Sequence, residues 1–194
     1  MSYIAPKQPS GDAADLVAVT DDRLMLLFRL GNSEGFSELF RRYSNPVYNF
    51  FRRRLENPAR AEELTQETFI AVLRGAERYE PRATFRTYLY GIAMRIVMAE
   101  RRRSARRGPS PLAEPNHFSD SCVDAAIWVR RAMEQLDPEH RDILLLREYE
   151  QLTYDEIATL LGLRVNTVRS RLFRARKALK AFLLPLRPEM RNET

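Results

Sequence analysis

Apolar residues recur every three or four positions through most of this chain, and no segment alternates apolar and polar residues over a useful strand length. This spacing is typical of amphipathic helices, whose apolar stripe packs against a core. Gly31-Asn32 and Pro46 divide the first apolar positions into three predicted helices. Their stripes are Leu24, Leu27, Phe28 and Leu30; Phe36, Leu39, Phe40 and Tyr43; and Val47, Tyr48, Phe50, Phe51 and Leu55.

The periodicity continues after Asn57-Pro58 and is interrupted near the middle of the chain. It predicts one helix from about Ala59 to Gly75 and another from about Thr84 to the arginine run ending at Arg103. Between Ser104 and Cys122, three prolines then lie among Ser, Gly, Asn and Asp residues. Because each proline biases its predecessor away from helical backbone, residues 108–122 are predicted to form an extended, flexible linker.

Helical spacing resumes at about Val123, where Ile127, Val129, Met133 and Leu136 are predicted to face inward. A further helix opens at Asp137-Pro138 and carries four consecutive apolar residues ending at Leu146. The chain is therefore predicted to be all-α, with two small helical domains over residues 21–107 and 123–186. Residues 1–20 and 187–194 are predicted to be tails, the first of them mobile because it lacks periodicity.

The segment from Thr153 to Lys180 is predicted to be a helix-turn-helix. Thr153 and Glu156 have the spacing of a capping box, and Gly162 ends the first helix with a residue that lacks Cβ. Ala158 and Val168 supply the small contact residue and the buried aliphatic residue that helix-turn-helix packing requires. The apolar stripe of the second helix consists of Val165, Val168, Leu172, Ala175 and Leu179.

The free side of that second helix is basic, since no acidic residue occurs between Ile157 and Pro188. Such a helix suits a DNA major groove, where guanidinium groups reach base edges and phosphates. A plain structural hairpin with a solvated basic face is the alternative. The predicted DNA-contacting residues are Arg164, Asn166, Thr167, Arg169, Ser170, Phe173, Arg174 and Lys177.

Composition points to the same class of partner. The formal net charge of +6 and the isoelectric point near 9.8 favour an anionic partner, most simply nucleic acid. No apolar run approaches the roughly 20 residues of a membrane span, and Met1 to Asp15 does not resemble a signal peptide. A single cysteine, Cys122, fits a reducing cytoplasm. It could be a redox sensor, or it could be incidental.

The sequence offers little chemistry for an enzyme. Its two histidines, His117 and His140, have no cysteine or carboxylate neighbours at metal-ligand spacing, and no phosphate-binding or nucleophile motif is present. The carboxylates Glu62, Glu63 and Glu67 share one predicted helix without an evident basic companion. They are therefore interpreted as a solvated or partner-facing surface, and neither catalysis nor a cofactor is expected.

A second candidate nucleic-acid segment runs from Thr84 to Tyr90, where aromatic residues alternate with arginine and hydroxyl side chains. Aromatic rings can stack on unpaired bases while arginines hold the backbone. The alternative is that Phe85, Leu89 and Ile92 are core residues at helical spacing, and for these three the core is favoured. Tyr88 and the arginines are the better candidates for contact.

Several motifs in register resemble the bacterial sigma factors of the extracytoplasmic-function (ECF) type, the promoter-recognition subunits of RNA polymerase. The segment from Ala61 to Phe69 resembles the region 2.2 helix, and the segment from Phe85 to Ala93 resembles the one that melts and reads the −10 element. Residues 136–141 and 152–158 resemble region 4, and residues 166–176 resemble its −35 recognition helix.

The resemblance implies a function and a set of partners. The first domain would bind core RNA polymerase at the β′ clamp helices and read the −10 element; the second would read the −35 element, and the β flap is a further expected contact. Control by an anti-sigma factor is implied, with the chain monomeric when free of partners. The implied polymerase-binding residues are Glu63, Leu64, Gln66 and Glu67, and the −10 residues are Tyr79, Arg82, Thr84, Arg86, Tyr88, Arg95, Arg102 and Arg103.

The chain departs from the family pattern on the helix that approaches the −10 DNA. Tyr88 stands where the family usually has Trp, and Arg95 and Ala99 stand where Asn and Asp are frequent. The −10 base preference therefore cannot be carried over. Two other classes stay open at this point: a stand-alone helix-turn-helix regulator that needs no polymerase, and an enzyme with a basic regulatory domain. The first leaves the acidic helix unexplained, and the second lacks a site.

Overall fold

A computed structural model describes residues 15–55, 57–107 and 123–184, and their regular structure is helical throughout. The chain divides into two compact units at Arg102 and Arg103. Two short 3-10 turns, Asp15–Ala18 and Ala76–Arg78, accompany the α-helices. The α-helices are α1 (Asp21–Arg29), α2 (Ser33–Arg52), α3 (Pro58–Gly75), α4 (Phe85–Arg107), α5 (Val123–Glu134), α6 (Pro138–Glu148), α7 (Tyr154–Leu161) and α8 (Val165–Leu183).

The predicted apolar stripes supply much of the core of the first unit, but Leu30 and Phe40 are 80% and 46% exposed, so their inward predictions were wrong. Helices α1 and α3 pack against α2, and the backbones of α1 and α2 approach closely at Gly35. A Cβ at Gly35 would lie 2.6 Å from the carbonyl oxygen of Leu24, so glycine is required there. The largest fully buried side chains of this unit are Leu24, Met25, Leu39, Phe50, Phe51, Leu64, Phe85, Leu89 and Tyr90.

Pro46 does not separate two helices, and that prediction was wrong. It lies inside α2, which continues through it from Ser33 to Arg52. A proline costs roughly 3 kcal/mol in a helix interior because it removes a backbone donor and crowds the preceding turn. Leu39 before it and Val47 and Phe50 after it are completely buried, so one continuous apolar face spans the proline. This packing offsets the local cost.

The end of the segment assigned to the mobile tail is folded onto α2. Arg42 donates hydrogen bonds to the carbonyl oxygens of Leu16 (2.9 Å) and Val19 (2.8 Å) and forms an ion pair with Asp21 (2.7 Å). Arg42 also pairs with the buried Glu38 at 2.7 Å. The assignment to a mobile tail therefore fails over residues 15–20, and its remaining residues, 1–14, lie outside the described residues.

Helix α4 is longer than its pattern indicated. Helical backbone continues through Ser104 to Arg107, beyond the arginine run at which the helix was predicted to end. The completely buried apolar positions of α4 end at Val97, so no apolar periodicity marks the last turns of this helix in the sequence. The predicted linker over residues 108–122, including Cys122 and His117, lies outside the described residues.

The second unit packs α5, α6 and α7 around α8. The four residues from Ile143 to Leu146 are all buried, as are Leu136 and Ala132. Val129, by contrast, is 38% exposed, so its inward prediction was wrong. Ala132 occupies the inward position of α5 instead, and its small side chain contributes little to the periodicity. The side chain of Ile127 lies outside the described part of the molecule.

Candidate nucleic-acid and polymerase interfaces

The helix-turn-helix forms through the local devices that its sequence contains. Glu156 N donates to Thr153 Oγ1 (3.2 Å), and Thr153 N donates to a carboxylate oxygen of Glu156 (2.8 Å), which completes a capping box. Gly162 then adopts a left-handed backbone with φ of +65° and ends α7. A side chain is strained in that conformation, so glycine sets the tight turn. Val168, Leu172 and Ala175 of α8 are buried.

The opposite side of α8 presents the predicted DNA-contacting residues to solvent. Phe173 is the extreme case: its apolar ring is 70% exposed. Thr167 is half-buried, and its carbonyl oxygen accepts a 3.0 Å hydrogen bond from Ser170 Oγ. The residues of this exposed recognition face are Arg164, Asn166, Arg169, Ser170, Phe173, Arg174 and Lys177.

Ion pairs divide the cations of α8 into two groups. Arg171 pairs with Glu139 and Arg176 pairs with Glu148, both at 2.7 Å and both toward α6. Within the described residues, Arg169, Arg174 and Lys177 form no ion pair. The paired arginines hold α8 against α6, whereas the other cations remain available to a polyanion. The sequence did not reveal this division, because the partner glutamates lie 28 or more residues away.

An acidic face runs along α3. Three of the residues predicted to bind polymerase, Glu63, Gln66 and Glu67, are exposed on this face. Leu64 is completely buried in the same helix, so it belongs to the core and is left out of the candidate contact surface. The exposed apolar residues Ile70 and Leu73 continue the face toward the end of α3. Their exposure was not anticipated, since apolar residues at helical spacing usually face the core.

The interpretation that these carboxylates have no basic companion was wrong. Arg60 pairs with Glu63 at 2.6 Å and with Glu67 at 3.5 Å, and its other side donates to the buried Glu100 of α4. Hydrogen bonds to Glu100 and Glu63 raise the pKa of Arg60 above its usual range. Arg60 therefore fixes part of the acidic face to the core. The pairing with Glu100 joins residues 40 positions apart, which no local pattern shows.

The candidate −10 segment consists of a loop and the start of α4. Glu80, Pro81, Arg82 and Thr84 are exposed, and Arg82 pairs with Glu80 at 2.7 Å. The amide of Thr87 donates to Thr84 Oγ1 (3.3 Å), so Thr84 satisfies a free backbone donor at the start of the helix. Arg86 lies half-buried in the first turn of α4.

The aromatic residues of this segment are less accessible than predicted. Tyr79 is only 2% exposed and its hydroxyl donates to Asp22 at 2.8 Å, so its side chain is left out of the candidate contact surface. Tyr88 is half-buried, with its ring centroid 5.2 Å from that of Tyr79. Its hydroxyl occupies the space that a Cβ at Gly75 would need. Phe85 is buried, as the core alternative for that residue expected.

Farther along α4 the surface becomes strongly basic. Arg95 is exposed and donates from Nε to the carbonyl oxygen of Gly91 at 3.1 Å. Arg102, Arg103 and Arg106 are exposed near the end of the helix. All the predicted −10 residues from Arg82 to Arg103 are thus exposed or half-buried.

Other kinds of site find no support in the described ranges 15–55, 57–107 and 123–184. None of the helices there combines the length and apolar character needed to cross a bilayer. Among the same residues, no three histidines, cysteines or carboxylates are grouped so that they could hold a metal ion.

Comparison with known proteins gives the chain its class. Two family models match it: Sigma-70 region 2 over residues 39–107 and Sigma-70, region 4 over residues 126–179. The chain is 32% identical to the RNA polymerase sigma factor CarQ of Myxococcus xanthus, over 84% of this chain and 97% of CarQ. It belongs to the ECF family of RNA polymerase sigma factors, which confirms the resemblance carried by its motifs.

Two further likenesses extend the comparison. The chain is 34% identical to the ECF RNA polymerase sigma factor SigE of Mycolicibacterium smegmatis over 76% of its length, a match that spans 61% of SigE. Among solved structures, CnrH in complex with the cytosolic domain of CnrY is similar with a TM-score of 0.69 and 25% identity. That likeness covers 91% of this chain and 100% of CnrH.

Proposed function

We propose that this chain is the promoter-recognition subunit that binds core RNA polymerase and directs initiation at its own set of promoters. The observation that carries the proposal is the difference in charge between two exposed faces on separate units. The recognition face of α8 is basic and suits DNA, whereas the face around Glu63, Gln66 and Glu67 has the wrong sign for phosphate and suits a protein partner.

Each unit then has its own task. Residues 21–107 bind polymerase through α3 and the −10 element through the loop after Tyr79 and the surface of α4. Residues 123–186 bind the −35 element through α8, and residues 108–122 connect the two. Two weak contacts joined in this way raise each other's effective concentration on one promoter. Catalysis belongs to the polymerase, and this chain supplies position and strand opening in the cytoplasm.

Opening of the −10 DNA is part of the proposed role. Taking a base out of the stack costs a few kcal/mol, which contacts in the binding protein must offset. The exposed loop residues 80–82 and 84 and the half-buried Tyr88 offer polar and aromatic contacts for such a base. Arg95, Arg102 and Arg103 add phosphate attraction along α4.

Sequestration by an anti-sigma factor completes the proposal. The similar protein CnrH was solved with the cytosolic domain of CnrY bound to it. In this chain, a partner protein could cover the exposed apolar residues Ile70 and Leu73 beside the acidic face and so compete with polymerase.

A run-off transcription assay with a randomised promoter library tests the central claim. Core polymerase with the full chain is expected to yield transcripts from a narrow set of templates that share two elements, whereas core polymerase alone yields none of them. Co-purification of the chain with core polymerase is expected in parallel. A chain that binds duplex DNA but neither binds core polymerase nor selects templates would be a stand-alone helix-turn-helix regulator, and the proposal would be wrong.

A further inference from the structure

The loop that leads from the 3-10 turn Ala76–Arg78 into α4 is hydrogen-bonded at both ends to one carboxylate oxygen of α1. The hydroxyl of Tyr79, at the start of the loop, donates to Asp22 Oδ1 at 2.8 Å. The backbone amide of Phe85, at its end, donates to the same oxygen at 2.7 Å. Asp22 thus closes the loop at its base without a covalent link.

A second residue of α1 holds the start of the loop. Arg29 donates from Nη1 to the carbonyl oxygen of Tyr79 at 2.9 Å. Tyr79 is therefore held at its hydroxyl and at its backbone, and its ring packs edge-on against that of Phe85. We call Asp22 and Arg29 the α1 anchor pair.

The tip of the loop, from Glu80 to Arg82, differs from its two ends. Glu80, Pro81 and Arg82 are exposed, and the hydrogen bonds described there run within the loop, from Arg82 to Glu80. The loop therefore has a fixed base and an exposed tip. A binding loop fixed in this way loses less conformational freedom when it takes up a ligand, which strengthens binding and sharpens discrimination between ligands.

We propose that Asp22 and Arg29 are positioning residues for recognition of a −10 base by the exposed tip, which they do not themselves contact. This role rests on the proposed function and adds residues to it. The Sigma-70 region 2 match begins at residue 39, so the α1 anchor pair lies outside the matched segment. No sequence pattern indicates the pair, because 50 to 63 residues separate its members from their partners.

Asp21 provides a matched control on the same turn of α1. It also carries a carboxylate near the N-terminus of the helix, but it accepts from Arg42 and Tyr43 of α2 instead of from the loop. A general loss of stability in α1 would follow from either Asp21→Ala or Asp22→Ala. An effect on the loop is expected from Asp22→Ala alone.

Two measurements on the full chain separate the contact from its role. Hydrogen exchange at the Phe85 amide reports the contact directly, because this first-turn amide has Asp22 as its acceptor. A hydrogen bond to a charged group is strong enough that Asp22→Ala should speed this exchange by about tenfold or more. Asp21→Ala should leave it unchanged.

The second measurement is the −10 base preference of holoenzyme, read from transcripts of a promoter library randomised at each −10 position. Asp22→Ala is expected to flatten the preference at one position several-fold while −35 preference and affinity for core polymerase stay at the parent value. Arg29→Gln and Tyr79→Phe should affect the same position more weakly. These two variants decide the question if Asp22→Ala does not fold, since each removes one hydrogen bond and Tyr79→Phe keeps the buried ring.

The outcomes are distinguishable. Parent-like base preference in the folded variants would overturn the positioning role, and parent-like exchange at Phe85 in Asp22→Ala would overturn the contact. Failure of the parent holoenzyme to select promoters would count against the proposed function and the positioning role together. The exchange rates would still show whether the α1 anchor pair holds the loop.

Discussion

Arg60 of α3 and Glu100 of α4 form a two-point ion pair, with Nη2 to Oε2 at 2.7 Å and Nε to Oε1 at 3.0 Å. The side chain of Glu100 is almost entirely buried, whereas Arg60 also reaches the exposed Glu63. The pair therefore connects the core of the first unit to its acidic face. Loss of one partner would leave the other charge poorly solvated.

Replacing Glu100 by Gln is expected to destabilise the first unit. The loss should be about 1.5–3 kcal/mol, the range for hydrogen bonds that involve a charged group. Urea unfolding of the full chain, followed at a probe in the first unit, measures it. Arg82→Ala is the matched control, because it breaks the exposed pair with Glu80 and should change stability by less than about 1 kcal/mol. Equal effects of the two variants would contradict the importance assigned to Glu100.

Replacing Arg174 by Ala should weaken binding to the −35 element by roughly 1–3 kcal/mol if Arg174 makes a bidentate base contact. Arg174 is exposed and forms no ion pair within the described residues, so it is available to DNA. Arg176→Ala is the control on the same helix, since Arg176 already pairs with Glu148. A mobility-shift titration at fixed salt compares them. Unchanged affinity after Arg174→Ala would show that Arg174 does not contribute to recognition of the −35 element.

The double change of Gln66 to Ala and Glu67 to Lys should abolish binding to core polymerase while −35 binding by the full chain persists. The physical reason is loss of the Gln66 amide and reversal of the Glu67 charge on the α3 face. Glu34→Lys on α2 makes a similar charge change at another exposed position and should leave polymerase binding intact. Pull-down of core enzyme measures the difference. If the double variant binds as well as the parent, this surface is merely solvated.

Neutralising the arginines at the end of α4 should weaken binding to all promoter sequences alike. Arg102 and Arg106 are exposed there, and phosphate contacts carry charge but little sequence information. Arg102→Gln with Arg106→Gln should lower the salt dependence of holoenzyme binding by up to about 0.9 log units per log unit of salt for each phosphate that is no longer neutralised. A changed base preference, with no change in how binding affinity depends on salt concentration, would contradict a role in phosphate binding.

Stability of the first unit should fall in acid through Glu38. Hydrogen bonds from Arg41 and Arg42 lower the pKa of Glu38 to about 2, from an ordinary value of 4.5. Because the pKa is lower in the folded state, its contribution is complete above pH 4.5 and is lost as the pH falls toward 2. Glu38→Gln should therefore be less stable than the parent at about pH 6, and the gap should narrow by about pH 3. Urea unfolding across this range would reveal a constant gap if the ion pairs contribute nothing.

Local chemistry explains which parts of the fold were predictable. The capping box at Thr153, the turn at Gly162 and the stripe of α8 depend on residues a few positions apart, and all were found in the sequence. Pro46 was misread because its local cost is overcome by packing on both sides of it. The prediction for Val129 was wrong because the buried position on α5 is occupied by Ala132. Alanine is too small to contribute clearly to an apolar pattern, so the pattern assigned Val129 to the core.

The candidate surfaces were predictable in position but not in detail. Leu64 and Tyr79 were predicted to contact polymerase and DNA, yet both side chains are buried beside exposed neighbours. Arg60, Asp22 and Arg29 act through partners 40 or more residues away. Long-range pairs of this kind arise from tertiary packing, which a pattern of neighbouring residues does not record.

The bonding of the loop to α1 has a consequence for engineering. Exchanging −10 specificity between related proteins invites a graft that begins where the family match begins, at residue 39. Such a chimaera would carry the loop after Tyr79 but leave its acceptor at Asp22 and its donor at Arg29 to the recipient chain. A transplant that starts before Asp21 would bring the loop together with both of its supports.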